Sequence, residues 1–298
     1  MDTTQTIIIS GPTAVGKTSY AVNLCKKING EIISADSRQV YKYLDIGTNK
    51  DGILKDGIRK IDGINQYLTD IINPDEKYTV KKFEQAATEL ENKIIKAGKV
   101  PVIVGGTGLY IKAFLYGLDE LPDSNEQIRN EIQNDITSKG LDYVYKQLEK
   151  VDKEAAIKNK GNTQRIIRAL EVYRITSKTM TELLNKKKPK NKKFKHIVLL
   201  KDRQILYDTI NKRCEKMINS GMIEETEKVL KMGYAKNCYG LTGVGYKHIV
   251  QFLDNKITKQ QLIEQFSKDT RNYAKRQITW FKNQPDITIV NLDDKERL

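Results

Sequence analysis

The chain has 298 residues, 39% of them hydrophobic, enough for one large domain or two ordinary ones with a proper core. No apolar run approaches the ~20 residues of a membrane span. Three scattered cysteines (Cys25, Cys214, Cys238) without a CxxC, and two lone histidines (His196, His248), argue against a disulfide framework and a structural zinc site.

The net charge of +14 is lopsided. Residues 1–120 carry 16 Lys and Arg against 15 Asp and Glu, whereas residues 121–298 carry 36 against 23. Such an excess fits a polyanionic partner bound with counterion release, and equally fits plain solubility. Met1–Ser10 has no basic n-region, long apolar segment or cleavage site, so no signal peptide and a cytoplasmic location are expected.

In chain order, Thr6–Ser10 (TIIIS) is a short β-rich run followed by Gly-Pro and a helical pattern. Gly30–Ala35 predicts a second strand and Lys99–Val104 a third, with a helix over Thr79–Ala97 between them. His196–Leu200 and Ile287–Val290 give a fourth and a fifth. Short buried strands alternating with helices predict a parallel sheet covered on both faces. From about Pro122 to Lys193 the alternation stops. Helices are predicted there over Asn125–Lys139, Leu141–Lys150, Lys153–Lys158 and Thr163–Ser177, the last with Asn162 as N-cap. The exit, Lys186–Lys195 (KKKPKNKKFK), reads as a solvated linker or as a phosphate-contacting strip. A last long helix is expected over about Lys259–Lys282. Its Arg271, Lys275 and Arg276 interleave with Tyr273, Trp280 and Phe281, which fits RNA contact as well as a packed aromatic edge with a basic outer face.

Gly11-Pro12-Thr13-Ala14-Val15-Gly16-Lys17-Thr18 matches GxxxxGK[ST] between a strand and a helix. Its glycines let backbone N–H groups curl toward phosphate oxygens. The helix start adds its dipole, Lys17 a point charge, and the Thr18 hydroxyl can help hold Mg²⁺. The motif specifies a diphosphate or triphosphate but not the chemistry that follows. The expected fold is therefore α/β: a P-loop NTPase-like parallel sheet core of residues 1–121 and 194–298, with an inserted all-helical subdomain at 122–193.

An ordinary ATPase or GTPase would carry an acid after a later strand. Here the third run ends in Val104-Gly105-Gly106-Thr107-Gly108, and Asn49-Lys50-Asp51 is one residue short of a guanine-reading NKxD. Asp36 directly follows the second strand. Neighbouring parallel strands open on one crevice, so Asp36 suits a general base or an indirect metal ligand beside the phosphates, and equally a helix N-cap.

GPTAVGKT (11–18), SADSRQVYKYLDIGT (34–48), VPVIVGGTGLYIKA (100–113), NTQRIIRALEVY (162–173), GVGYK (243–247) and TRNYAKRQITWFK (270–282) together resemble the bacterial-type tRNA dimethylallyltransferase (isopentenyl-diphosphate:tRNA transferase) family over nearly the whole chain. The resemblance implies transfer of a dimethylallyl group from dimethylallyl diphosphate to the exocyclic N6 amine of the adenosine immediately 3′ of the anticodon in tRNA, releasing pyrophosphate. It implies that Gly11–Thr18 and Arg213 hold the donor diphosphate, that Mg²⁺ sits at Thr18, and that Asp36 takes the amine proton. Contacts with tRNA are implied for Asp36, Ser37, Arg38 and Gln39, for Thr107 and Arg129, for Gln164, Arg165, Ile166, Ile167 and Arg168, and for Thr242, Gly243, Val244, Gly245, Tyr246 and Lys247. Lys247 departs from the arginine of some members, and a lysine cannot make a bidentate contact. A monomer is expected. The competing readings are an adenylate isopentenyltransferase acting on free AMP, ADP or ATP, a small-molecule P-loop kinase, and a non-catalytic RNA-binding nucleotide switch.

Overall fold

The computed structural model describes residues 5–184 and 193–293. The chain divides into two compact units, Met1–Leu115 with Asn191–Leu298, and Tyr116–Lys190. The second unit thus begins at Tyr116 rather than at 122. Most of the predicted Lys186–Lys195 charge run lies outside the described residues, and its last two, Phe194 and Lys195, begin a strand.

The first unit carries an eight-stranded sheet. Its strands are β1 (Thr6–Ser10), β2 (Gly30–Ser34), β3 (Ile53–Lys55), β4 (Ile58–Ile61), β5 (Ile64–Tyr67), β6 (Val100–Gly105), β7 (Phe194–Leu200) and β8 (Ile287–Asn291). The order is β3-β4-β5-β2-β6-β1-β7-β8, parallel from β5 to β8 and antiparallel across β3, β4 and β5. All five predicted strands are present. β3, β4 and β5 were not predicted because each is only three or four residues long. Their turns are nevertheless written in the chain: Asp56-Gly57 and Asp62-Gly63 all have positive φ, as two-residue hairpin turns require.

Helices α1 (Lys17–Ile28), α2 (Val80–Lys96), α3 (Gly108–Tyr116), α4 (Glu126–Lys139), α5 (Leu141–Val151), α6 (Lys153–Lys158), α7 (Thr163–Thr176), α8 (Met180–Leu184), α9 (Arg203–Met217), α10 (Ile223–Lys231), α11 (Tyr246–Leu253) and α12 (Lys259–Lys282) complete the described chain. Central strands are apolar throughout because helices cover both their faces: Ile8, Ile9, Ile33, Val102 and Ile103 are fully buried. The helix starts follow capping chemistry. Thr79 accepts from Lys82 N, and Thr258 opens α12 with a reciprocal capping box to Gln261. All three cysteines are free and buried in this unit. Burial pushes the Cys25 thiol up to about 12, and raises those of Cys214 and Cys238 as well.

The second unit packs α4, α5, α6 and α7 around Ile132, Val144, Leu148, Ala156, Ile166 and Leu170. Asn162 caps α7 as its sequence predicts, accepting from Arg165 N at 3.2 Å. Asp152 caps α6 and also accepts from Thr181, which ties α8 to the bundle. At its centre the Glu171 carboxylate is fully buried. It accepts from Arg129 Nε (2.8 Å) and Nη2 (3.0 Å), Arg168 Nη1 (2.6 Å) and Asn125 N (2.7 Å). Burial alone would raise its pKa, but the two arginines hold it below the ordinary 4.5.

Glu171→Gln leaves two arginines without their buried counter-charge and is expected to cost this unit about 3 kcal/mol, read as a lower urea midpoint. The folded pKa is the lower one. The carboxylate's contribution is therefore complete above the unfolded value of 4.5 and is lost as pH falls through the folded value. A melting temperature that falls no faster for wild type than for Glu171→Gln below pH 4.5 overturns this assignment.

Candidate active site

Strands β2, β6 and β1 are adjacent and parallel, so the turns leaving their carboxyl ends meet. They wall a cleft of about 240 Å³ lined by Thr13, Lys17, Thr18, Asp36, Asp51 and Arg213 among others. The P-loop leaves β1 and ends at Gly16, whose left-handed φ of 102° starts α1. Lys17 Nζ donates to the carbonyls of Gly11 (3.1 Å) and Pro12 (2.8 Å). Desolvation lowers its pKa to about 8; the Asp36 charge opposes this and the Arg213 charge adds to it. Arg213, from α9, donates Nη2 to Thr13 Oγ1 at 2.6 Å. Its Nε is buried without a hydrogen-bond partner among the described residues, a donor suited to an anion. Burial lowers its pKa too, against the charges of Asp36 and Asp51, yet a guanidinium remains protonated.

Asp36 is both a turn cap and a cleft residue. Its Oδ1 accepts from Arg38 N (2.8 Å) and Gln39 N (3.4 Å), while Oδ2 has no hydrogen bond among the described residues. No helix starts at Asp36, so the helix N-cap reading is corrected to a turn cap on one oxygen, which leaves the cleft role to the other. Thr107, on the turn after β6, accepts from Ser37 N at 3.0 Å and so joins the second and third turns. Arg38 Nη1 reaches Tyr239 O (2.9 Å) and Thr242 Oγ1 (3.4 Å), which brings the Asp36–Gln39 stretch against the 242–247 segment. Gln39 donates to the carbonyls of Thr48 (3.2 Å) and Asn49 (3.1 Å) and thereby holds the loop that carries Asp51. Desolvation pushes the Asp51 carboxyl up, against the pull of Arg59 and Arg213.

Other expected contact residues are occupied by the fold. Tyr246 is 1% exposed, and its hydroxyl donates to Glu225 Oε1 at 2.6 Å. Glu225 also accepts from the N–H groups of Asp45, Ile46 and Gly47, so Tyr246 anchors a loop. Val15 is buried. Gly243 and Gly245 are buried, Val244 half-buried and Thr242 exposed. Lys247 Nζ pairs with Asp269 at 2.6 Å. In the helical unit Ile166 and Ile167 point into the core, and Arg129 and Arg168 are held by Glu171. Of the contacts expected on α7, Gln164 and Arg165 are the exposed ones.

Sequence reading missed Gln277. Its Oε1 accepts from Thr13 N at 2.8 Å and its Nε2 donates to Gly106 O at 2.8 Å, so one buried amide joins the P-loop to the turn after β6. A Cβ at Gly106 would sit 2.2 Å from that Nε2, which is why the turn carries glycine there. The signal was available: Thr270, Ala274, Gln277 and Phe281 form the buried face of α12, and a glutamine on such a face demands partners. Tyr273, one of the aromatic residues already singled out on the last helix, lies beside Thr107. Burial raises its pKa to about 12, with the Asp36 charge adding to the rise.

No group of three or more His, Cys, Asp or Glu suited to a metal occurs among the described residues. The candidate ligands lining the cleft are oxygen donors, among them the Thr18 hydroxyl and the carboxylates of Asp36 and Asp51. That set fits Mg²⁺, which takes one or two protein oxygens and completes its shell with phosphate oxygens and water.

A family model for IPP transferase matches residues 39–284. The chain is 56% identical over 285 residues to a tRNA dimethylallyltransferase from Endomicrobium trichonymphae, a match covering 95% of this chain and 94% of that protein. It is similar to the solved full-length tRNA isopentenylpyrophosphate transferase from Bacillus halodurans, with TM-score 0.70 and 36% identity over 97% of this chain and 90% of that one. A eukaryotic dimethylallyltransferase acting on tRNA superposes with TM-score 0.78 and 28% identity, over 97% of this chain and 74% of that one.

Two outcomes are expected of the cleft. On top of the ligand's own ionisation, pyrophosphate affinity should weaken above about pH 8 by up to ~10-fold per unit, as Lys17 loses its proton. Lys17→Arg, which stays charged, should abolish that extra step. Identical calorimetric profiles for the two proteins would exclude Lys17 as the titrating contact. Gln277→Leu strips a half-buried N–H and a buried carbonyl of their partner, the latter at about 1–3 kcal/mol. It should weaken pyrophosphate binding ~10-fold, and unchanged affinity would mean that the P-loop holds its shape without the amide.

Proposed function

The chain belongs to the IPP transferase family, and from that premise we propose that it is a tRNA-modifying prenyltransferase. It moves a dimethylallyl group from dimethylallyl diphosphate to the N6 amine of the adenosine immediately 3′ of the anticodon and releases pyrophosphate. The observation that carries this reading is the sharing of one cleft by a diphosphate cradle and a carboxylate. Lys17, Thr18 and Arg213 face the same space as Asp36. No acid follows β6, where a nucleotide hydrolase would want one.

The chemistry follows from these groups. The P-loop N–H groups, Lys17 and Arg213 bind the donor diphosphate, with the orphan Nε of Arg213 as a further donor. Charge builds on the bridging oxygen as the carbon–oxygen bond breaks, and these cations offset it. Mg²⁺ bound at Thr18 and the phosphate oxygens would supply Lewis-acid stabilisation of the same charge. The amine nitrogen forms the new bond to the allylic carbon, and its proton passes to Asp36 Oδ2. Oδ1 meanwhile stays tied to Arg38 N and Gln39 N, which holds the carboxylate in position.

The target base must leave its loop to reach the cleft. Ser37, Arg38, Gln39, Thr107 and Thr242 surround it at the junction described above. Gln164 and Arg165, exposed on the helical unit, are offered as further contacts with the RNA. A chain acting on free adenine nucleotide would have no use for that unit or for the basic excess beyond residue 120. No described helix is long and apolar enough to cross a membrane, and a cytoplasmic, monomeric enzyme fits this substrate.

Purified protein, Mg²⁺ and radiolabelled dimethylallyl diphosphate should label an anticodon stem-loop with adenosine after the anticodon, and leave AMP unlabelled. Label in AMP alone would turn the reading to the adenylate enzyme. Asp36→Asn should slow transfer by about 10²–10⁴-fold with pyrophosphate affinity within a few fold. Retention of full turnover by this variant would remove Asp36 from the proton-accepting role.

A further inference from the structure

The P-loop by itself accepts a diphosphate or a triphosphate, so any choice between them has to come from the rest of the cleft. Asp51 lines that cleft with Lys17, Thr18 and Arg213, yet it takes no part in the proton transfer or the departure of the leaving group. Resting on the prenyltransferase reading, we infer that Asp51 is a specificity residue, whose fixed negative charge limits the bound phosphate chain to two groups and turns away a triphosphate.

Three observations carry this. First, the loop around Asp51 is fastened while its carboxylate is left free. Gln39 holds the carbonyls of Thr48 and Asn49. The Lys50 side chain is buried, and its Nζ donates to Tyr41 O (2.6 Å) and Asp45 Oδ1 (2.9 Å) and pairs with Asp70. Arg59, from β4, donates Nη1 to Gly52 O at 3.2 Å. Asp51 is exposed and forms no hydrogen bond or ion pair among the described residues. Secondly, the cleft has no cation for a third phosphate. Its lining holds two cations, Lys17 and Arg213, and two carboxylates, Asp36 and Asp51; the remainder is neutral. The charges of Asp36 and Asp51 both already act on Arg213. Thirdly, the neighbouring cations are committed elsewhere. Arg59 Nη2 binds Asp45 (3.0 Å) and Asp70 (2.8 Å), the same two carboxylates that hold Lys50. Neither can swing in to offset Asp51. A third phosphate therefore brings negative charge into a cleft of about 240 Å³ that offers it only a like charge.

The test is calorimetric titration of wild type, Asp51→Asn and Asp51→Glu with inorganic pyrophosphate and inorganic tripolyphosphate, with Mg²⁺ and again with EDTA. Asp51 is exposed, so the fold should survive; far-UV circular dichroism and retained pyrophosphate binding would establish an intact cradle. Wild type should favour pyrophosphate. In Asp51→Asn the affinity for tripolyphosphate relative to pyrophosphate should rise about tenfold, the effect of one like charge in a partly solvated cleft. Asp51→Glu, which keeps the charge, should keep most of the preference. The shift should persist in EDTA, because repulsion needs no metal. An unchanged ratio in Asp51→Asn would overturn the inference, as would a shift seen only with Mg²⁺, which would make Asp51 a metal ligand instead. The parent reading fails separately: wild-type protein that does not label the stem-loop counts against the transferase assignment, whatever the phosphate preference.

Discussion

The site depends on one buried amide. Turns leaving parallel strands diverge unless something fixes them, and here the P-loop and the turn after β6 are pinned by the two ends of Gln277. A side-chain amide is suited to the task because it offers one donor and one acceptor at a fixed separation. Burial makes the arrangement strict at Gly106, whose carbonyl has no water as a substitute. Thr107 then ties the third turn to the second, and Gln39 ties the second to the Asp51 loop. Rigidity accumulates outward from a helix that donates no residue to the phosphate motif itself.

The same closeness sets the electrostatics. Lys17 and Arg213 are both desolvated and repel each other, and Asp36 and Asp51 offset this only in part. Such a cradle is uncomfortable for the folded protein and welcoming to a diphosphate, so binding relieves a strain that folding created. Asp36 belongs to both halves of this balance. One oxygen organises its own turn, while the carboxylate's charge acts on the cations opposite.

Much of this was legible in the chain. The P-loop is a local motif whose flanking strand and helix follow from apolar periodicity, and Asp36 follows from the rule that parallel strands open on one crevice. The helix starts at Asn125, Asn162 and Thr258 follow from side-chain caps. What stayed hidden depends on partners far along the sequence. Gln277 lies 264 positions from Thr13, and Tyr246 owes its role to Glu225 and a loop near residue 46. Ile166 and Ile167 lie in a stretch matched to RNA-contacting relatives, yet amphipathic spacing alone already turned them inward. β3, β4 and β5 were missed because each is too short to display a period, although their Asp-Gly turns carried a usable signal.

The placement of the thiols has a practical side. Every cysteine is buried in the sheet-bearing unit, with burial holding each in its protonated, unreactive form, and residues 116–190 contain none. An alkylating reagent therefore meets a nucleophile only when that unit opens. The native chain keeps its own clock: the rate of thiol modification measures excursions of the sheet and its covering helices, and stays silent while the helical insert unfolds and refolds by itself.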